Sequence, residues 1–255
     1  MIVRFKNILC AILLCGTCAA TSVARATVTQ PLEIIDRPRT LPGGTLELAG
    51  GVDLRRTSYT DGTGDHAQSY LSAPLGLGYG ISNDFDIRIF YGVGLHPTFT
   101  GKTPVDIRLA YTFFRDAHVS AAAQVKSGID LGNNDVRPLV IGINAQYRVT
   151  STFALFTPGE QLSVGLAGGD HPIGLDLPVG VGLQFTPQVF GSLTTNLAHI
   201  GIANEGNAFI LADMLPVDVA AFYSFSNRAD VGAHLAVDLK NTNNILFGVL
   251  GRLFL

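Results

Sequence analysis

A chain of 255 residues in which 47% are hydrophobic and only 15% charged is unusually apolar for an exported soluble domain. Its 17 basic residues against 20 acidic ones give no basic footprint for nucleic acid. All three cysteines, Cys10, Cys15 and Cys18, stand near the amino terminus, which excludes disulfides and cysteine-bound zinc from the rest of the chain.

The chain opens as an export signal: Arg4 and Lys6 make a basic start, Ile8 to Ala20 an apolar core, and Ala24-Arg25-Ala26 a small-x-small cleavage site. The apolar core is shorter than the roughly 20 residues of a membrane helix, so residues 1–26 read as a cleaved signal peptide rather than an anchor. The signal holds three of the basic residues and no acidic one, which leaves the mature chain at a net charge of −6. Residues 27–44 carry no strand periodicity and are expected to form a periplasmic N-terminal segment, lying free or folded into a barrel mouth.

From Thr45 to the end the hydrophobic period is two. Phe85, Ile87, Ile89, Tyr91, Val93 and Leu95 alternate with Asp86, Arg88, Phe90, Gly92 and Gly94; Val105, Ile107, Leu109, Tyr111 and Phe113 alternate with Asp106, Arg108, Ala110, Thr112 and Phe114. Read throughout, the pattern predicts about twelve strands, near 45–55, 69–81, 85–95, 105–114, 119–131, 138–149, 153–166, 173–185, 189–201, 214–225, 229–240 and 245–255. Most are long enough for a tilted strand to cross a hydrocarbon layer, which takes about 9–11 residues. Tight turns at 82–84, 115–118, 150–151, 186–188 and 226–228 interleave with longer links at 56–68, 96–104, 132–137, 167–172 and 201–213. The fold class expected is therefore all-β: a single transmembrane up-and-down antiparallel β-barrel spanning 45–255, with short periplasmic turns, longer outer loops and membrane lipid as its surroundings. The seventh strand changes parity at Pro158-Gly159, which a bulge would repair.

Alternation alone leaves open whether the apolar face meets lipid or a core, as in an exported soluble β-barrel binding protein. Three features favour lipid. Apolar-face aromatics (Tyr79, Phe85, Tyr111, Phe113, Tyr147, Phe153, Phe185, Tyr223 and Phe225) gather at the short turns, like an interfacial girdle. The opposite face carries nine acids and seven bases in mid-strand, whereas the apolar face carries almost none. The last strand, Ile245 to Leu255, resembles the terminal strand by which outer-membrane barrels are recognised, although Phe254 is penultimate.

Arg37-Pro-Arg-Thr-Leu-Pro-Gly-Gly-Thr-Leu-Glu-Leu and the hairpin Tyr79-Gly-Ile-Ser-Asn-Asp-Phe-Asp-Ile-Arg resemble segments of the transporter-like barrels of the MetA-pathway phenol-degradation family. That resemblance implies passage or binding of small molecules, aromatic or apolar ones among them, and supplies no residue-level site. The functional expectation is a channel or transporter for small solutes, with a non-conducting structural or adhesion barrel as the alternative.

The candidate lumen-lining residues are Asp86, Arg88, Asp106, Arg108, Lys126, Arg148, Asp218, His234 and Arg252. With signs mixed, no single-sign selectivity ring is expected, and internal ion pairing is the bland reading of these charges. The two Asp-Ile-Arg triplets are expected at opposite ends of the lumen, too far apart to pair. His118-Val-Ser120 resembles the His-x-Ser of outer-membrane phospholipases but has inward parity beside a short turn, so no catalytic residue is expected. His199 is in phase with the outward face, and no two histidines share metal-binding spacing, so neither metal nor cofactor is expected.

Overall fold

The computed structural model describes residues 30–61, 64–97, 104–132, 134–167, 171–240, 242 and 244–255; residues 1–26, read as the signal, lie outside them. Twelve strands form the wall: β1 (Leu46–Asp61), β2 (Gly64–Gly80), β3 (Phe85–His96), β4 (Pro104–Arg115), β5 (Val119–Asp130), β6 (Leu139–Arg148), β7 in two pieces (Phe153–Thr157 and Leu162–Val164), β8 (Ile173–Gln184), β9 (Val189–Ala203), β10 (Pro216–Ser226), β11 (Ala229–Asp238) and β12 (Asn244–Phe254). Each pairs antiparallel with the next, and β12 closes on β1 from Glu47↔Phe254 to Thr57↔Asn244. The sheet is a closed barrel, so no edge strand is left with unpaired backbone groups.

The link expected at 56–68 is mostly strand: β1 and β2 stay paired out to Asp61↔Gly64, because Thr, Ser, Tyr and Gln continue the alternation in polar form. Two-residue pieces, Asp135–Val136 and Ala208–Phe209, add to the wall at the long-loop end through β5 and β9.

Burial is inverted relative to a soluble protein. Among the described residues, twelve buried residues are polar or charged and eight are hydrophobic; five of the eight are alanines, and Ile35 and Leu41 belong to no strand. Meanwhile Leu48, Val52, Leu54, Leu75, Leu77, Ile89, Leu109, Ile143, Val219, Phe247 and Val249 are all exposed. Ile89 and Leu109 would anchor a soluble core if one existed; instead they are 37% and 40% exposed. The hydrophobic side of the alternation thus forms the exterior, and Tyr79, Tyr111, Phe113, Tyr147, Phe185, Tyr223 and Phe225 are exposed around the short-turn end. Tyr223 and Phe225 pack edge to face there, with ring centroids 5.0 Å apart.

Candidate functional site: the lumen and its plug

Residues 30–45 identify the inside of the barrel. Only a segment within the ring can touch strands all round it, and this one bonds to seven, β2 among them through Gly44 and Thr45 to Gly80. Ile35 N donates to Gln184 Oε1 of β8 (3.1 Å), Gln146 Nε2 of β6 donates to the Ile35 carbonyl (2.8 Å), and Leu41 N donates to Asp86 Oδ2 of β3 (2.8 Å). The Thr40 hydroxyl shares a hydrogen bond with Thr112 of β4 (3.0 Å). Arg37 makes the strongest anchor: its guanidinium forks onto Asp230 of β11 (2.5 and 2.8 Å) and reaches Ser224 Oγ of β10 (3.2 Å). Arg39 donates to Gln146 Oε1, and Asp36 pairs with Arg148 at 2.8 Å. Ile35, Thr40 and Leu41 are 1–2% exposed, so the segment is a plug filling the short-turn end. Around Arg39, burial disfavours the charged guanidinium and lowers its pKa to about 10. Its sequence explains its form: Pro31, Pro38 and Pro42 withhold backbone donors from any helix or ladder, leaving one 3₁₀ turn, Ile34–Asp36.

The nine candidate lining residues then take their places. Asp86, fully buried, accepts from Leu41 and lies 3.3 Å from Arg88, which also reaches Glu47 at 2.8 Å. Asp106 pairs with Arg137 (3.1 Å), Lys126 with Glu160 (2.5 Å), and His234 Nε2 lies 3.3 Å from Asp53 Oδ1. Arg252 pairs with Asp230 (2.9 Å) and covers the Phe222 ring at 4.9 Å, while Arg148 holds Asp36 of the plug. Arg108 sits 5.8 Å from the Phe90 ring centroid, and Asp218 lines a cavity of about 590 Å³ toward the long-loop end with Thr194, Thr195 and Asn196.

Two expectations are corrected. The Asp-Ile-Arg triplets are not at opposite ends: Arg88 stands directly across from Arg108, with Asp86 opposite Ala110 and Asp106 opposite Phe90. Register rows in a sheared barrel climb from strand to strand, so a position near the turn end of β3 meets one well up β4. His199 does not face outward. β9 spends one extra residue between Asn196 and His199 against Pro178–Asp176 of β8, and this bulge turns the ring inward. There Nδ1 lies 3.0 Å from Asp176 and Nε2 3.2 Å from Glu205. His118 Nδ1 faces the Arg148 carbonyl at 3.3 Å, and Ser120 Oγ has no hydrogen-bond partner among the described residues, so these two side chains are not joined as a nucleophile and its base.

A second inward element lies where the parity of β7 breaks. Pro158–Gln161 leaves the wall and folds across β5 and β6: Gln124 Nε2 donates to the Gly159 carbonyl, and Gln161 exchanges bonds with Ile143 (2.6 and 3.0 Å). It fits only because residue 142 is glycine; a Cβ there would collide with Gln161 Oε1 and the Gly159 carbonyl. The sequence signalled a bulge at this point but not its inward direction. It gave no sign of the plug's partners, because Gln146, Gln184, Ser224 and Asp230 are scattered through four strands and differ from other inner-face residues only by what they meet.

No protein-family model matches the sequence, and no curated protein aligns with it. Solved structures do match in shape. A KdgM porin superposes with a TM-score of 0.52 at 8% identity, covering 80% of this chain and 98% of that one. A NanC porin gives 0.51 at 9% identity over 82% and 99%, and an outer membrane channel from Pseudomonas putida F1 gives 0.50 at 12% over 92% and 100%. At such identities the likeness is one of fold.

Proposed function

We propose that the chain is an outer-membrane channel for small solutes of a Gram-negative-type bacterium, delivered by the signal at residues 1–26 and held in lipid by its apolar exterior. The observation that carries this reading is the inverted burial: a closed barrel with exposed Leu, Ile and Val outside and ion-paired, cavity-bearing polar walls inside. In this orientation the short turns, both strand termini and the plug are periplasmic, and the long-loop end faces out. The porins and the channel of like fold support the reading without extending their own solutes to this chain.

The lumen is not uniformly polar. Phe90, Phe156, Phe190, Phe222 and Phe254 share the inner face with the charges: Phe90 stands opposite Asp106, Phe156 packs over Gly180, Phe190 pairs with Phe222, and Arg37 lies 5.3 Å from the Phe254 ring. Such rings beside cations support small aromatic solutes bearing polar groups. The plug favours a second reading, a barrel that conducts only when residues 30–42 are withdrawn. Planar-bilayer recordings in KCl separate the two. A channel gives discrete conductance steps in the mature chain and larger ones after deletion of residues 27–42; silence from both proteins, with folding verified on gels, removes the proposal.

A further inference from the structure

The inner-face charges form local pairs almost throughout, and the exceptions are informative. Asp53 has His234, Asp106 has Arg137, Lys126 has Glu160, Asp176 has His199, and Arg252 has Asp230. Among the described residues, Arg108 has only the Phe90 ring, and the Asp218 carboxylate accepts no hydrogen bond; Arg108 Nε and Asp218 Oδ1 are both buried and unpartnered. Arg55, also without an ion pair, is exposed at the rim of the 590 Å³ cavity.

Their positions make the two a pair in another sense. Arg108 is on β4 and Asp218 on β10, six strands apart in a ring of twelve, hence on opposite walls. Arg108 lies seven residues from the turn end of its strand at Arg115, and Asp218 eight from Ser226. Each strand contains one irregularity in that interval, so the heights match. A twelve-stranded barrel is about 24 Å across between backbones, too wide for these side chains to meet. The neighbours leave the two charges unspent. Arg108 is flanked in register by Arg88 and Lys126, whose charges are already met by Asp86 and Glu47 and by Glu160, while Asp218 shares its cavity with the neutral Thr194, Thr195 and Asn196.

We propose that Arg108 and Asp218 form a two-point subsite for a small zwitterion, its carboxylate on the Arg108 guanidinium beside Phe90 and its ammonium on the Asp218 carboxylate. This rests on the channel reading. A solute with both groups satisfies both unpartnered charges; a singly charged one leaves the other wall unmet, and a neutral one leaves both.

The test is block of KCl current through the reconstituted mature chain by 6-aminohexanoate, compared with hexanoate, hexylamine and the neutral 6-hydroxyhexanamide. 6-Aminohexanoate is expected to halve the current at a concentration about tenfold below the best of the other three. Arg108→Gln and Asp218→Asn should each abolish that preference while KCl still conducts, and the exchange R108D/D218R should restore it. Gel migration before and after heating verifies that each variant folds, and the two single variants on opposite walls serve as independent tests. KCl current with equal block by hexanoate, or a preference untouched in either variant, overturns the subsite and leaves the channel standing. Absence of KCl current from every form, the chain lacking residues 27–42 included, overturns both.

Discussion

Replacing Arg37 by alanine should free the plug, and the structure sets the scale. Arg37 and Asp230 have side chains 8% and 0% exposed and share two short bonds, so solvent screening does little to discount the pair. Removing one partner of a buried pair costs about 3–5 kcal/mol, chiefly through the charge left behind. Here Arg252, 2.9 Å from Asp230, still compensates the carboxylate, which places Arg37→Ala at the lower end, about 3 kcal/mol. That corresponds to about a hundredfold rise in the undocked population. All three cysteines lie before residue 19, so in a chain that starts at residue 27 Thr40→Cys, at a position 1% exposed, gives a single reporter. Its maleimide labelling rate in proteoliposomes should rise about a hundredfold when Arg37→Ala is added, and Asp230→Asn, which leaves Arg37 and Arg252 facing each other, should raise it at least as much. Rates within about threefold of the Thr40→Cys parent in both variants would refute the anchor.

Three further outcomes follow from the same geometry. Gly142→Ala should push Pro158–Gln161 off the wall, break the Gln161–Ile143 bonds and lower unfolding stability by about 1–3 kcal/mol, measured as the temperature at which the folded gel band is lost. Leu109→Arg puts a cation on the exposed apolar face midway along β4 and should cost about 2–4 kcal/mol in guanidine titrations of the lipid-inserted protein; a cost near zero would mean that this face does not meet hydrocarbon. Asp116, in the turn before β5, accepts the backbone N–H of His118 and Val119 (2.7 and 2.6 Å), which holds its carboxyl below the usual carboxylate range. A depressed carboxylate contributes stability that is present above its unfolded value, about 3.9, and lost as pH falls through the lower folded value. Asp116→Asn should therefore flatten the acid limb of the stability profile below about pH 4, measured by far-UV dichroism in vesicles.

The wall was legible because its rule is local. In β3 and β4 each residue announces its face by parity, and a barrel in lipid cannot relax that rule without exposing charge to hydrocarbon. Legibility failed where one residue changes the count. The bulge before His199 reverses everything beyond it, and nothing in Leu197-Ala198 distinguishes it from an ordinary strand. It failed again for relations between strands: the Arg88–Arg108 pairing depends on hairpin length and shear, not on where each triplet sits within its own segment. The plug was the least visible feature. Arg37 and Thr40 read as a loop because their partners, Asp230 and Thr112, lie far along the chain and are chosen by position inside a ring that exists only after closure.

Spin-label accessibility along β4 tests the central claim most directly. With single cysteines at 105 to 112 in vesicles, odd positions should be relaxed by oxygen from the bilayer and even positions by a water-soluble nickel chelate in the lumen, alternating residue by residue. Uniform shielding from both reagents at the odd positions would show Ile107 and Leu109 packed in a protein core, and the account of an apolar exterior around a polar path would be wrong.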